Sequence, residues 1–159
     1  MIEIRPIQKS DNKALALIIR ATLSEFGAAR PGTVYYDATT DTLFELFDQD
    51  KASYFVATIS GKIVGGGGLF PTVGLPENTC ELVKMYLLPE ARGKGIGKML
   101  MEQCIHEASQ NGFKSIYLET LPELKQAIKV YENFGFKKLE KPLGNSGHFG
   151  CDVWMLKNI

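Results

Sequence analysis

The sequence predicts a mixed α/β (α+β) fold on one sheet, distinct from a doubly wound parallel one. Three observations carry this expectation. Strand-like segments follow one another between Ser53 and Leu88, joined by a hairpin signal. Beyond Leu88, helical and strand patterns alternate. The chain has 159 residues, 45% hydrophobic and 23% charged, which suits one globular domain over residues 1–159.

Each element follows from its local pattern. Ile2-Glu3-Ile4 alternates ahead of Pro6 and reads as a first strand. Asp11 is placed to cap a helix carrying Leu15, Ile18, Ile19, Thr22, Leu23 and Phe26 on one face, with Gly27 as its stop. Ala28 to Thr40 reads as loop, and Leu43, Phe44, Leu46 and Phe47 mark a short second helix. Ser53 to Ser60 is rich in strand formers, Ser60-Gly61 turns, and Lys62-Ile63-Val64 starts the return. Gly65 to Gly68 are consecutive glycines, which inside a strand signal a bulge or a close backbone approach.

Pro71 to Asn78 is a loop, and Cys80 to Leu88 is the next strand. A glycine-rich turn, Arg92 to Gly97, opens a helix with Ile96, Leu100, Cys104 and Ala108 in one stripe, stopped at Asn111-Gly112. Ser115 to Glu119 is a short strand. Thr120 and Glu123 have capping-box spacing ahead of a helix that carries Leu124, Ala127, Ile128 and Tyr131 on one face and ends at Gly135. Two short strands follow, near Lys137–Leu139 and Cys151–Leu156. The order is β-α-α-β-β-β-α-β-α-β-β.

Charge narrows the function. Eighteen basic and eighteen acidic residues cancel, so the overall basic excess expected of a phosphate-gripping nucleic-acid binder is absent. No apolar run approaches the roughly 20 residues of a membrane span, and the N-terminus lacks the apolar stretch of a secretory signal. Cys80, Cys104 and Cys151 are far apart and form no CxxC pair, so a zinc ribbon or thioredoxin site has no support, and no metal is expected. Free thiols in a reducing cytoplasm fit this pattern.

The chemistry concentrates in the strand–RGKGIG–helix segment. Glycines allow a tight turn and a close backbone approach. The first amides of the helix lack intrahelical partners and share the positive end of its dipole, a site suited to phosphate. Arg92, Lys94 and Lys98 add positive charge. The usual nucleotide motifs fail by counting. Neither Gly93 nor Gly95 has glycine five residues on, as a P-loop needs, and G-x-G-x-x-G meets Lys98 or Leu100 at its last position.

What fits is Arg92-x-x-Gly95-x-Gly97, followed by the run from Ala127 to Phe136, AIKVYENFGF. In these two motifs and their separation the chain resembles the GNAT superfamily of N-acetyltransferases, from about Cys80 to Leu139. The family's [RQ]-x-x-G-x-[GA] loop holds the pyrophosphate of acetyl-CoA, and its A-x-x-x-Y-x-x-x-G-F helix matches Ala127 to Phe136. The resemblance implies a mixed, mostly antiparallel sheet with a splayed central strand pair and helices on both faces. It implies acetyl-CoA as cosubstrate, bound by Arg92, Gly93, Lys94, Gly95, Ile96, Gly97 and Lys98, with backbone contacts around Met85, Tyr86 and Leu87.

It also implies direct acetyl transfer to a primary amine of a small or amino-acid-like acceptor, with a homodimer as a family expectation. Protein N-terminal or lysine acetylation and a non-catalytic acyl-CoA-binding module are the alternatives. An alkylammonium near pKa ~10.4 is protonated at neutral pH, so a base is useful. Glu81, on the strand leading to the loop, is the first candidate and equally reads as a solvated strand glutamate. Glu119 is a second candidate. Periodicity alone makes Tyr131 a core tyrosine, whereas the resemblance makes it the acid that protonates the leaving thiolate. Many family members carry asparagine where this chain has Leu124, which removes that polar contact. His148, in the segment GNSGHFGC, reads as a surface-loop residue or as a group at the acceptor cleft. Glu25, Phe26, Tyr35, Tyr36 and Asp37 fall in the region that forms the acceptor wall in the family.

Overall fold

The structure, a computed structural model, describes residues 1–159. The strands are β1 (Ile2–Pro6), β2 (Ser53–Ile59), β3 (Lys62–Phe70), β4 (Thr79–Leu87), β5 (Ser115–Thr120), β6 (Lys137–Leu139) and β7 (Val153–Asn158). The helices are α1 (Asn12–Glu25), α2 (Leu43–Phe47), α3 (Ile96–Gln110) and α4 (Lys125–Asn133). The expected element order is borne out. The strands form one seven-stranded sheet in the order β1-β2-β3-β4-β5-β7-β6. Every neighbouring pair is antiparallel except β4 and β5.

Alternation along the strands feeds two cores. On one face Phe55, Ala57, Leu69, Cys80 and Leu82 pack with Ile96, Leu100, Met101 and Cys104 of α3 and Ile128 and Tyr131 of α4. On the other, Tyr54 and Val56 pack with Leu15, Ile19 and Leu23 of α1 and Leu43 and Phe47 of α2. Burying each such large apolar side chain stabilises the fold by roughly 1.5–3 kcal/mol before entropy is counted. Helices therefore cover both faces, as expected. No helix is long and apolar enough to cross a membrane.

Three local expectations are corrected. Asp11 precedes α1 but makes no cap bond to it; its carboxylate accepts from the Gln8 amide at 2.7 Å and from Arg5 at 2.8 and 2.9 Å. The charge-assisted pair with Arg5 competes successfully for both carboxylate oxygens. Thr120 and Glu123 form no capping box. Thr120 is drawn into β5 opposite Val153, Leu124 becomes the N-cap residue of α4, and Glu123 pairs with Arg30 at 3.1 Å. The final strand starts at Val153 rather than Cys151, because Cys151 ends a turn, its amide donating to the His148 carbonyl.

The glycine run lies wholly within β3. A Cβ on Gly66 or Gly68 would stand 2.7 Å from the Tyr54 ring, and one on Gly67 2.7 Å from Met85 Cε. The close approach expected from these glycines is therefore real, and side chains from both neighbouring strands occupy the space.

Candidate active site

The site begins where the sheet divides. β4 and β5 pair only through Thr79–Ser115, Cys80–Ile116 and Glu81–Tyr117. From Leu82 onward β4 has no partner on that side, and the strands diverge. The β3–β4 register also slips: Gly66 faces Tyr86 and Gly68 faces Val83, so Lys84 and Met85 oppose the single residue Gly67. This is a β-bulge. Lys84 sits at φ +53°, an uncommon left-handed conformation for a non-glycine residue. The Tyr54 hydroxyl crosses β3 and donates to the Lys84 carbonyl at 2.8 Å.

A cleft occupies the divergence, lined among others by Glu81, Lys84, Tyr86, Glu119, Tyr131 and His148. Glu81 is only 3% exposed. Burial pushes its pKa up to about 7; a hydrogen bond from Thr72 at 2.5 Å opposes the rise and the nearby Glu119 charge adds to it. A carboxylate poised near neutrality can take and return a proton at working pH. The reading of Glu81 as a solvated strand residue is thus corrected, because β5 and the following loops cover it.

Glu119 is fixed by its partners. Its Oε2 accepts from the Tyr117 hydroxyl at 2.7 Å, and its Oε1 accepts from Ser146. His148 leaves the surface that its loop suggested. Its ring Nε2 lies 2.7 Å from Asp37 Oδ2, and its Nδ1 lies 4.0 Å from Glu119 Oε1. Asp37 also pairs with Lys84 Nζ at 3.4 Å through the same oxygen. Burial works against the Asp37 carboxylate, but its bond to His148 and the His148 and Lys84 charges outweigh that and keep its pKa low.

Glu81, Glu119 and His148 bring ligand-type atoms within 4.8 Å of one another. Such a trio can hold a cation in principle, yet most of its atoms already have partners within the chain: Thr72, Tyr117, Ser146 and Asp37.

Tyr131 combines both roles read from the sequence. Its ring is buried against Phe136, centroids 6.0 Å apart. Its hydroxyl makes no hydrogen bond within the chain, is not a sealed polar atom, and belongs to the cleft. Burial raises its pKa to about 12, so the phenol stays protonated. Tyr86 lines the same cleft, its pKa likewise raised by burial and by the neighbouring Tyr131. Met85 also lines the cleft, with its side chain against Gly67 and the core under α3 and α4.

Beyond β4 the chain turns through Arg92–Gly95 into α3. Gly93 and Gly95 sit at φ +73° and +79°, where glycine is favoured. The amides of Gly93, Lys94, Gly95, Ile96, Gly97 and Lys98 have no hydrogen-bond acceptor in the chain. They form a continuous donor surface at a helix N-terminus. Lys94 and Lys98 are exposed beside it, whereas the Ile96 side chain is buried in the core and can offer only its amide. Arg92 is not free: it donates to the Leu87 carbonyl at 3.0 and 3.2 Å and grips Glu25 at 2.6 and 2.9 Å, stacked over Phe26.

Of the acceptor-wall residues, Asp37 joins the site, Glu25 and Phe26 hold Arg92, and Tyr35 and Tyr36 pair with each other outside the cleft lining. Cys151 lines the cleft, with burial pushing its thiol up to about 12, which leaves it protonated. His106 is exposed on α3. The residues missed were Thr72 and Lys84. Thr72 carried no signal, whereas Lys84 did: with Glu81 three positions earlier, strict alternation would drive one of two charges into the opposite core.

A split mixed sheet, a bulged strand at the split and a loop of acceptor-free amides describe a transferase that holds a phosphate-bearing donor alongside an acceptor cleft. Comparison with known proteins agrees. The model of the Acetyltransferase (GNAT) family matches residues 18–136. The chain is 40% identical over 157 residues to the Escherichia coli (strain K12) protein named Uncharacterized N-acetyltransferase YjgM, covering 98% of this chain and 94% of that one. A GNAT-family acetyltransferase from Staphylococcus aureus has the same fold, with TM-score 0.84, 22% identity and 99% of each chain covered. The PaiA N-acetyltransferase of Thermoplasma acidophilum, solved in complex with coenzyme A, superposes with TM-score 0.76 at 20% identity, covering 100% of this chain and 99% of that one. The chain belongs to the GNAT acetyltransferase family and is an N-acetyltransferase.

Proposed function

We propose that the protein transfers an acetyl group from acetyl-CoA to the primary amine of a small molecule. The run of acceptor-free amides from Gly93 to Lys98 carries the cosubstrate part of this reading. Amides aimed outward at a helix N-terminus, with Lys94 and Lys98 beside them, suit a diphosphate. Acetyl-CoA supplies an activated thioester when bound. The residues of the chain bind it, orient it and move protons. Arg92 stiffens the turn through the Leu87 carbonyl, and the unpaired edge of β4 around Met85, Tyr86 and Leu87 offers backbone groups to its pantetheine arm.

Glu81 takes the proton from the acceptor ammonium, directly or through water, which leaves the amine nucleophilic. Its placement near neutrality suits this task. Tyr131 holds a proton on a free hydroxyl in the cleft and delivers it to the departing sulfur. The thiolate of a thiol of pKa ~8.5 is a weaker base than the Tyr131 phenolate, so this transfer is uphill; collapse of the tetrahedral intermediate drives it and solvent restores the phenol.

The β6–β7 loop favours a small acceptor over a protein. It is strapped across the cleft by the Leu143 amide on Tyr117, Asn145 on Val73, Ser146 on Glu119, His148 on Asp37 and Gly150 on Gly32. Bonds at both ends and the middle tie this loop over the cleft, which supports the small-acceptor reading. The test is calorimetry with acetyl-CoA on the wild type and Gly97→Glu, followed by CoA release over a panel of amines and peptides. Gly97 lies in the first turn of α3 and an added Cβ would meet Leu87 Cδ1 at 3.6 Å, an ordinary contact, so the backbone there accepts a side chain. Weakening of at least about ten-fold is expected from a charge set among the amides. Unchanged affinity rejects this placement of the diphosphate.

A further inference from the structure

Lys84 is the only buried basic side chain in the protein, its side chain 5% exposed. Nothing in the proton transfers above uses it. Burying an ammonium is costly unless it is well partnered. An ammonium has three N–H donors, and the chain gives this one a single acceptor, Asp37 Oδ2, at a long 3.4 Å. That oxygen is already engaged by His148 at 2.7 Å. The position is also forced. The bulge and the left-handed backbone at Lys84 turn its side chain out of the alternation of β4 and into the cleft that holds Glu81. The Tyr54 hydroxyl pins the same residue from behind. A conformation of this kind, costing roughly 1–2 kcal/mol, is held where the surroundings require it.

The cleft therefore presents a cation with donors to spare at Lys84 and, lining the same cleft, the carboxylates of Glu81 on β4 and Glu119 on β5. We infer that the acceptor is a compact amino-carboxylate, a free α-amino acid or a close relative, whose carboxylate is held by Lys84 while its amine faces Glu81. This deepens the acetyltransferase reading and rests on it. The carboxylate of the acceptor supplies the acceptor atoms that Lys84 lacks. It also leaves the amine free to face Glu81, which lines the same cleft. A compact acceptor fits a cleft in which ligand atoms of Glu81, Glu119 and His148 lie within 4.8 Å of one another and Lys84 joins His148 through Asp37, at 3.4 and 2.7 Å. Lys84 is then a specificity-determining residue and takes no part in the proton transfers.

The experiment measures kcat/KM from CoA release for L-amino acids, each matched with the amine formed by its decarboxylation. Wild type, Lys84→Met and Lys84→Gln are compared. The wild type is expected to prefer the carboxylate-bearing member of a pair by about ten-fold to a hundred-fold, the range of a charge-assisted contact. Both variants are expected to bring that ratio close to one, mainly through KM. A purely structural role for Lys84 would lower both members of a pair together and preserve the ratio. A wild-type ratio near one, a ratio that survives in the variants, or turnover confined to peptide amines overturns the inference while leaving the acetyltransferase reading intact. Should neither variant fold, the wild-type ratio decides alone. Failure of acetyl-CoA to bind the wild type in calorimetry marks the failure of the underlying reading instead.

Discussion

The Tyr54 hydroxyl donates to the Lys84 carbonyl at 2.8 Å across an intervening strand. Tyr54 is on β2 and Lys84 on β4, so the ring must lie over β3, and it does so above Gly66 and Gly68. The glycine run, the tyrosine and the bulge are one device. Missing side chains on β3 let the ring through, and the ring holds the bulge that shapes the cleft.

Gly66→Ala tests this device. Its Cβ would meet the Phe55 carbonyl at 2.6 Å and the Tyr54 ring at 2.7 Å. Backbone cannot yield as a flexible side-chain tip would, so the expected loss is about 1–3 kcal/mol of stability, the range for overpacking a dense core. Tyr54→Phe leaves the packing and removes the bond, orphaning a buried carbonyl at about 1–3 kcal/mol. Denaturant unfolding reads both. Tyr54→Phe with wild-type stability and wild-type acceptor KM would show that the bulge stands without this support.

The acid–base behaviour of Glu81 predicts opposite trends for stability and catalysis. Its folded pKa of about 7 lies above the ordinary 4.5 because burial disfavours the charge. The folded state therefore binds the proton more tightly than the unfolded chain. Its stabilising contribution is full below pH 4.5 and is lost as pH rises through about 7. The proposed base role needs the deprotonated form, so kcat/KM is expected to rise with pH and level off above about 7. Glu81→Gln should lose that rising limb and about 10²–10⁴-fold in rate. A pH profile unchanged in the variant would pass the base role to Glu119 or His148.

For Tyr131, the free hydroxyl on a buried ring separates chemistry from packing. Tyr131→Phe keeps the contact with Phe136 and breaks no hydrogen bond within the chain. Stability should stay within about 0.5 kcal/mol, while kcat falls about a hundred-fold or more. Because burial raises the phenol to about 12, no loss of activity near pH 9–10 should trace to it. Steady-state kinetics on Tyr131→Phe and Tyr86→Phe together assign the donor. A loss in the Tyr86 variant alone would transfer the role to that neighbouring phenol.

Much of the fold was legible because apolar spacing is a local signal. The order of strands and helices, the stops at Gly112 and Gly135 and the close approach at Gly65–Gly68 all follow from patterns within a few residues. Of the candidate site, Arg92–Gly97 and Tyr131 were legible from motifs over neighbouring positions, whereas Glu81, Glu119, Asp37 and His148 were legible only as separate candidates, without their contacts. The Lys84–Asp37–His148–Glu119 chain joins residues from four separate segments. Sequence spacing holds no record of such contacts, except that the step of three from Glu81 to Lys84 breaks the strand period and hints at a bulge. The failed caps have related origins: Arg5, six residues before Asp11, claims its carboxylate, and Val153, on a distant strand, draws Thr120 into the sheet.

Glu25 should oppose cosubstrate binding at a distance from the reacting groups. It stands at the end of α1 and pairs with Arg92 through both carboxylate oxygens, at 2.6 and 2.9 Å. Arg92 in turn holds the Leu87 carbonyl and begins the turn whose acceptor-free amides are the proposed seat of the diphosphate. A carboxylate this close reduces the positive potential of the loop. The pair is about one-third exposed on each side, at 34% and 38%, so screening limits its worth to about 0–1 kcal/mol. Glu25→Gln is therefore expected to leave unfolding nearly unchanged. The same limit caps the gain in acetyl-CoA affinity at about five-fold, with a larger gain at low ionic strength than at high. Arg92→Met should act in the reverse sense and more strongly, because it removes a cation and also frees the Leu87 carbonyl. Calorimetric titrations of both variants at two salt concentrations decide the matter. Weaker binding in Glu25→Gln would mean that this carboxylate serves to hold Arg92 in its working position rather than to compete for it.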